Sequence, residues 1–184
     1  AVFLSILVLC SSFSAFALTE GNSYSYSQKY LDMYYDTGSW ETANGHVHDN
    51  YGQIALRNLN STGEPLYCIQ IYEACDGSAA TAEKIQETTL WDRELTSVAR
   101  SVMNRVSIYG SPNYKYGYSA TEAQLATQIL LWEAEIGARA NYNASLTSFA
   151  KNISSTSDSA KKTLDNALDC YLEILEACQN HSNR

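Results

Sequence analysis

The chain predicts an α+β fold, and three observations carry that expectation. Two strand-like runs, residues 53–57 and 66–72, flank a turn-forming stretch; three amphipathic helical patterns follow them; and the helical patterns are bounded by recognisable start and stop residues. Strands come first and helices after, as in a segregated rather than an alternating fold.

Residues 1–17, AVFLSILVLCSSFSAFA, form a continuous apolar run followed by small residues, ending Ala15-Phe16-Ala17. That is the pattern of a signal peptide cleaved before Leu18, and the run is too short to cross a bilayer. Residues 1–17 are therefore read as a partial signal peptide. Residues 18–184 are read as a single exported domain with enough apolar residues to bury a core.

The first strand is Gln53-Ile54-Ala55-Leu56-Arg57, which alternates apolar and polar. Asn60-Ser61-Thr62-Gly63-Glu64-Pro65 is a turn by composition, and residues 66–72 are rich in aromatic and β-branched types, so the two runs read as a hairpin. In the second strand Leu66, Cys68, Gln70 and Tyr72 share one face, opposite Tyr67, Ile69 and Ile71. Before the hairpin lies a polar, Tyr-rich lead and a Gly-Ser-rich stretch from Tyr35 to Asn50, read as strand and loop.

The first helical pattern puts Trp91, Leu95, Val98, Val102 and Val106 on one stripe and stops at Gly110-Ser111-Pro112. A second opens on Ser119-Ala120-Thr121-Glu122, a capping box, and stops at Gly137. Its apolar face is Leu125, Ile129, Trp132 and Ile136, with Gln128 at the edge. The third, near residues 159–178, places Leu164, Leu168, Tyr171, Leu175 and Cys178 inward and Cys170 on the flank. Residues 154–159 read as a linker.

Charge and cysteine content narrow the function. A net charge of −8 with scattered Lys and Arg argues against nucleic acid. In an exported chain Cys68, Cys75, Cys170 and Cys178 would ordinarily be disulfides. Cys170 and Cys178, however, are eight residues apart on one helix, about 12 Å, too far to bridge each other.

Cys68 on a strand and Gln128 on a helix suggest a different chemistry. A thiol held against a primary amide can attack its carbonyl, expel ammonia and leave an internal thioester. Three competing readings are weaker. Gln70 lies alongside Cys68 on its own strand rather than across from it. His46 or His48 as activator of a nucleophilic cysteine, or His46, His48 and Asp49 as metal ligands, sit in a polar loop with no second cluster of ligands.

Tyr67-Cys68-Ile69 followed by Thr127-Gln128-Ile129-Leu130-Leu131-Trp132 resembles the thioester domain of Gram-positive bacterial surface adhesins. The family's glutamine motif is Thr-Gln-x-Ala-aliphatic-Trp, after an aromatic-Cys-aliphatic strand; Leu130 stands where the family usually has Ala. The resemblance extends over most of the exported chain, including Ile108-Tyr109-Gly110. It implies a β-rich core, sandwich or barrel-like, with an inserted α-helical lobe and a Cys68–Gln128 thioester at their interface. It also implies supporting roles for Tyr67, Thr127, Trp132 and Glu133. If Cys68 is taken by the thioester, Cys75 with Cys178 or Cys170 is the remaining disulfide.

The implied function is single-turnover covalent attachment at the cell surface, without cofactor or metal. Its partner is a lysine amine of a host surface or matrix protein, or else a polyamine or glycan. The family's domains sit at the tip of a wall-anchored fibre, so final strands and a stalk are expected beyond residue 184. The contrasting expectation is a noncovalent extracellular adhesion or carbohydrate-binding module with structural disulfides.

Overall fold

A strand of 19 residues, β1 (Ser23–Glu41), is the spine of the sheet. The computed structural model describes residues 23–41, 45, 47–68, 71, 81–83 and 95–181. The expected signal peptide, Trp91, His46, Gln70 and Cys75 lie outside them. Leu31, Met33 and Tyr35 of β1 are buried while the intervening Asp32 is exposed, the period-2 signature of a sheet with one covered face. β2 (Val47–Leu59) pairs antiparallel along β1 from Tyr26↔Leu59 to Glu41↔Val47, with irregularities between Tyr30 and Tyr34 and between Asp36 and Ser39. The Tyr-rich lead is thus largely strand, and the stretch from Tyr35 to Asn50 is mostly the far end of the same ribbon.

The expected hairpin forms over the described residues. β3 (Pro65–Leu66) pairs Arg57↔Leu66 and Asn58↔Pro65, and the turn is closed by Gly63 N–H donating to the Leu59 carbonyl at 2.7 Å. Gly63 sits at φ +72°, where a glycine is at ease. β4 (Thr81–Glu83) pairs with the start of β1, giving the order β3-β2-β1-β4. The stretch read as a linker is also tied down: β5 (Ser154–Ser155) pairs with Met33 and Tyr34, and Thr156 N–H donates to the Asp32 carbonyl at 2.9 Å.

Helix α1 (Ser97–Tyr109) begins at Thr96, whose hydroxyl accepts the Ala99 N–H, and ends at Gly110 as expected. Its buried stripe is Ala99, Val102, Met103 and Val106, with Leu95 just before it. Val98, expected on that stripe, is 47% exposed. At 100° per residue it lies well to the side of the line through Ala99, Met103 and Val106.

Helix α2 (Ala120–Glu135) has the full capping box: the Ser119 hydroxyl accepts from Glu122 N–H, and the Glu122 carboxylate accepts from Ser119 N–H. It is not amphipathic, for every residue from Ala123 to Glu135 is buried. A short helix α3 (Ser148–Lys151) precedes β5. Helix α4 (Asp158–His181) covers α2 and α1, burying Leu164, Ala167, Cys170, Tyr171, Ile174, Leu175 and Cys178. Leu168 is only half-buried and Cys170 fully buried, an exchange of the roles expected from the pattern. The Cys170 flank is covered by the loop after α1, where its Sγ approaches the Lys115 carbonyl at 4.0 Å. The sheet and the helices share one continuous apolar core.

Because the capping box closes the start of the most buried helix, Ser119→Ala is expected to lower stability by about 1 kcal/mol. Urea unfolding, read as a drop in midpoint with unchanged slope, checks it.

Candidate functional site

β3 ends at Leu66, and the chain brings the buried Cys68 against α2. A buried peptide group must find partners elsewhere. Gln128 provides them for Cys68. Its Oε1 accepts the Cys68 N–H at 2.9 Å, and its Nε2 donates to the Cys68 carbonyl at 2.7 Å. Cys68 is 4% exposed and Gln128 1% exposed. Two residues separated by 60 positions in sequence thus meet in a water-excluded place.

Three residues further on, Ile71 is held at both ends. Its N–H donates to both oxygens of the Glu135 carboxyl, at 3.2 and 3.1 Å. Its carbonyl accepts from the Tyr35 hydroxyl at 3.2 Å and from the Asn50 amide. Gln128 and Glu135 are seven residues apart on α2, within about 20° of the same face, so one helix face grips both ends of residues 68–71. Trp132 lies between them on that face, packed on Tyr35 with ring centroids 5.1 Å apart. Its indole N–H is buried and meets no acceptor among the described residues.

Tyr67 and Thr127 fasten the same place from the other side. The Tyr67 hydroxyl donates to the Ser111 carbonyl at 2.6 Å, and Ser111 N–H donates to Thr127 Oγ1 at 2.9 Å. Thr127 in turn donates to the Ala123 carbonyl at 2.8 Å. Burial pushes the Tyr67 phenol above its ordinary pKa, so it stays a neutral donor. Leu66, Tyr67 and Cys68 are all buried, so both faces of this arm are covered rather than one.

Gly110 allows the approach. A Cβ there would lie 2.6 Å from Thr127 Oγ1 and 2.8 Å from the Val106 carbonyl.

Glu133 turns elsewhere. It is about 140° around α2 from Gln128 and pairs with Arg139 at 2.7 Å in a buried ion pair. It also accepts from Tyr171 and Thr147 hydroxyls. Arg139 spends its other donors on the carbonyls of Asn141, Asn143 and Ser145. Burial raises the Glu133 pKa, against the lowering from Thr147 and Arg139. This network anchors the loop between α2 and α3; the structure does not bring it to Cys68.

Glu135, to which the sequence reading gave no role, is the acid on the Gln128 face. Its pKa stands well above the ordinary carboxylate range, first because it is buried and then because of the nearby Cys68 thiol, with the Ile71 N–H opposing. The seven-residue spacing from Gln128, in a run with only one other acid, was the available signal.

Cys170 and Cys178 are fully buried thiols whose pKa burial pushes up to about 12, a poor setting for a nucleophile. The expected bridge from one of them to Cys75 falls on a residue outside the described ones. Among the described residues no group of three or more His, Cys, Asp or Glu side chains could hold a metal, and no helix is long and apolar enough to cross a membrane.

Compared with known proteins, the chain matches no family model, no curated protein and no solved structure. The reading of this site rests on its own residues.

Two outcomes follow from the geometry. Gly110→Ala forces the α1 turn away from Thr127 and is expected to cost about 1–3 kcal/mol, read by thermal melting. Glu135 binds its proton more tightly folded than unfolded. Its raised pKa therefore takes nothing from stability while it is protonated in both states. Stability falls as pH rises from the ordinary glutamate range toward the raised folded value, by about 1.4 kcal/mol per pH unit for one proton. Urea midpoints measured across that range should show the slope in the wild type and lose that component in Glu135→Gln.

Proposed function

We propose that this domain is a covalent binder in which Cys68 and Gln128 condense to an internal thioester that acylates an amine. The observation that carries the reading is the pairing of a fully buried glutamine amide with both backbone groups of a buried cysteine. A plain core glutamine needs only hydrogen-bond partners; this one finds both of them on the single residue whose side chain can react with it.

The physical argument runs through proximity and charge. Amides resist thiols in water. Fixing the two groups in contact can supply about 7–11 kcal/mol of the barrier. As the Cys68 thiol adds to Gln128 Cδ, negative charge develops on Oε1, which already accepts the Cys68 N–H at 2.9 Å. A preorganised donor of that kind in a dry site is worth about 3–4 kcal/mol in other acyl transfers. Collapse of the adduct releases ammonia and leaves the Cys68–Gln128 acyl bond. Trp132, on the Gln128 face of α2 and packed on Tyr35, would help shield the bond from water until an amine arrives.

In this reading Tyr67 and Thr127 position the cysteine arm against α2, and Trp132 covers it. Glu133 holds the loop that follows the helix. The resemblance to surface adhesins extends the proposal to a secreted or wall-attached domain. There a lysine of a host protein is the captured nucleophile, and the antiparallel sheet belongs to a larger β-rich core into which the helices are inserted.

Intact mass tests the reading. The wild-type domain is expected to weigh one ammonia less than its sequence, and Cys68→Ala and Gln128→Ala each to restore the full mass. Methylamine is expected to add to the wild type alone. A wild-type domain of full mass that ignores methylamine overturns the reading in favour of a noncovalent module in which Gln128 only clips the Cys68 backbone.

A further inference from the structure

Thioester closure has a proton problem that the pairing of Cys68 with Gln128 leaves unsolved. The Sγ–Cδ bond forms and the Cδ–Nε2 bond breaks, and the thiol proton must end on the departing nitrogen. An amide nitrogen does not leave as an anion, so it has to be protonated before the bond breaks. Water is excluded, with Gln128 1% and Cys68 4% exposed. The Tyr67 hydroxyl already donates to Ser111, and Glu133 is matched by Arg139 on another side of the helix.

Among the described residues one acid remains on the reacting face. Glu135 lies two turns beyond Gln128, and helical side chains lean toward the N-terminus of their helix, here toward Gln128. Its carboxyl is fixed by the N–H of Ile71, three residues from Cys68. It has no cationic partner among the described residues, unlike Glu133. Two carboxyls on one helix thus have different partners, Glu133 a guanidinium and two hydroxyls and Glu135 a peptide N–H alone.

We propose, resting on the thioester reading, that Glu135 carries the proton from Cys68 to the leaving nitrogen of Gln128. The acid gives its proton to Nε2 as the Cδ–Nε2 bond breaks and takes the one released by Sγ as the Sγ–Cδ bond forms. It ends as it began, and ammonia leaves neutral. The raised proton affinity of Glu135, to which Cys68 itself contributes, agrees with that role.

Glu135→Gln separates this from mere anchoring, because the amide oxygen it introduces can still accept the Ile71 N–H while the transferable proton is lost. Wild type, E135Q and E135D are refolded from denaturant, and ammonia loss is followed by intact mass alongside thermal melting. E135Q is expected to melt close to wild type at neutral pH or above it, yet to close the bond at least about ten-fold more slowly, the span of one protonation-assisted step being larger still. E135D is expected to close it to completion at an intermediate rate. E135Q closing as fast as wild type overturns the proposal and leaves the thioester standing. If E135Q does not fold, E135D decides: a folded E135D that loses ammonia as fast as wild type overturns the proposal, and one that loses it more slowly supports it. A wild-type domain that never loses ammonia overturns both this assignment and the capture reading.

Discussion

A helix with no solvated face must find a partner inside the protein for each polar group it carries, and α2 carries five such side chains between Gln124 and Glu135. Gln124 donates to the Arg57 carbonyl of β2 at 2.8 Å. Thr127 reaches the turn after α1, Gln128 reaches Cys68, Glu133 reaches Arg139 and Tyr171, and Glu135 reaches Ile71. Each polar residue therefore ties α2 to a different neighbour. The apolar residues between them supply the driving force of burial, while the polar ones fix orientation, because a half-satisfied buried network costs more than an apolar one. The position of Cys68 under α2 is a consequence of that closure.

The two buried glutamates show how little the residue type decides by itself. Glu133 and Glu135 stand two residues apart on the same helix. Glu133 faces a guanidinium and two hydroxyls, which compensate much of the cost of burying its charge. Glu135 faces one peptide N–H, which compensates little. Removing Arg139 would leave Glu133 in the position Glu135 already occupies, a buried carboxyl whose cheapest state is the protonated one. Glu133 therefore serves the loop, and Glu135 is left as a buried carboxyl of raised proton affinity.

The local signals in the sequence were those with short-range causes. The capping box at Ser119, the stop at Gly110 and the turn at Gly63 involve only neighbouring residues, and each stands where the pattern puts it. Gln128 at the edge of an apolar stripe also pointed the right way, though the helix proved to be enclosed on all sides. What composition hid was long-range. The Ser and Tyr content of β1 reads as strand and loop without a boundary, yet Leu31, Met33 and Tyr35 alternate along one strand of 19 residues paired with both β2 and β5. Val98 and Cys170 were misplaced because a stripe drawn on one helix does not say how far its neighbours wrap around it. Glu133 was favoured over Glu135 by its place beside the Trp132 motif. Only the contacts of Cys68 with Gln128 and of Ile71 with Glu135 show which of the two acids shares the face of Gln128.

The hydrogen bond from Gln128 Nε2 to the Cys68 carbonyl also bears on which nucleophile the proposed thioester suits. Closure of the thioester removes Nε2 and leaves that carbonyl without its donor, a loss of about 1–3 kcal/mol for a buried acceptor. A primary amine that opens the thioester would rebuild an amide at Cδ with one N–H, but in a trans amide that N–H points away from Oε1, so the paired contact of Oε1 and Nε2 with Cys68 would not re-form unchanged. A hydroxyl gives an ester with no donor, so the carbonyl stays unpaired. Water gives a carboxyl at position 128. Ionised, it would set oxygen against oxygen at Cys68 within reach of the Glu135 face, and it would have to hold a proton to stay buried. Of the three products, only the amide would keep an N–H at Cδ.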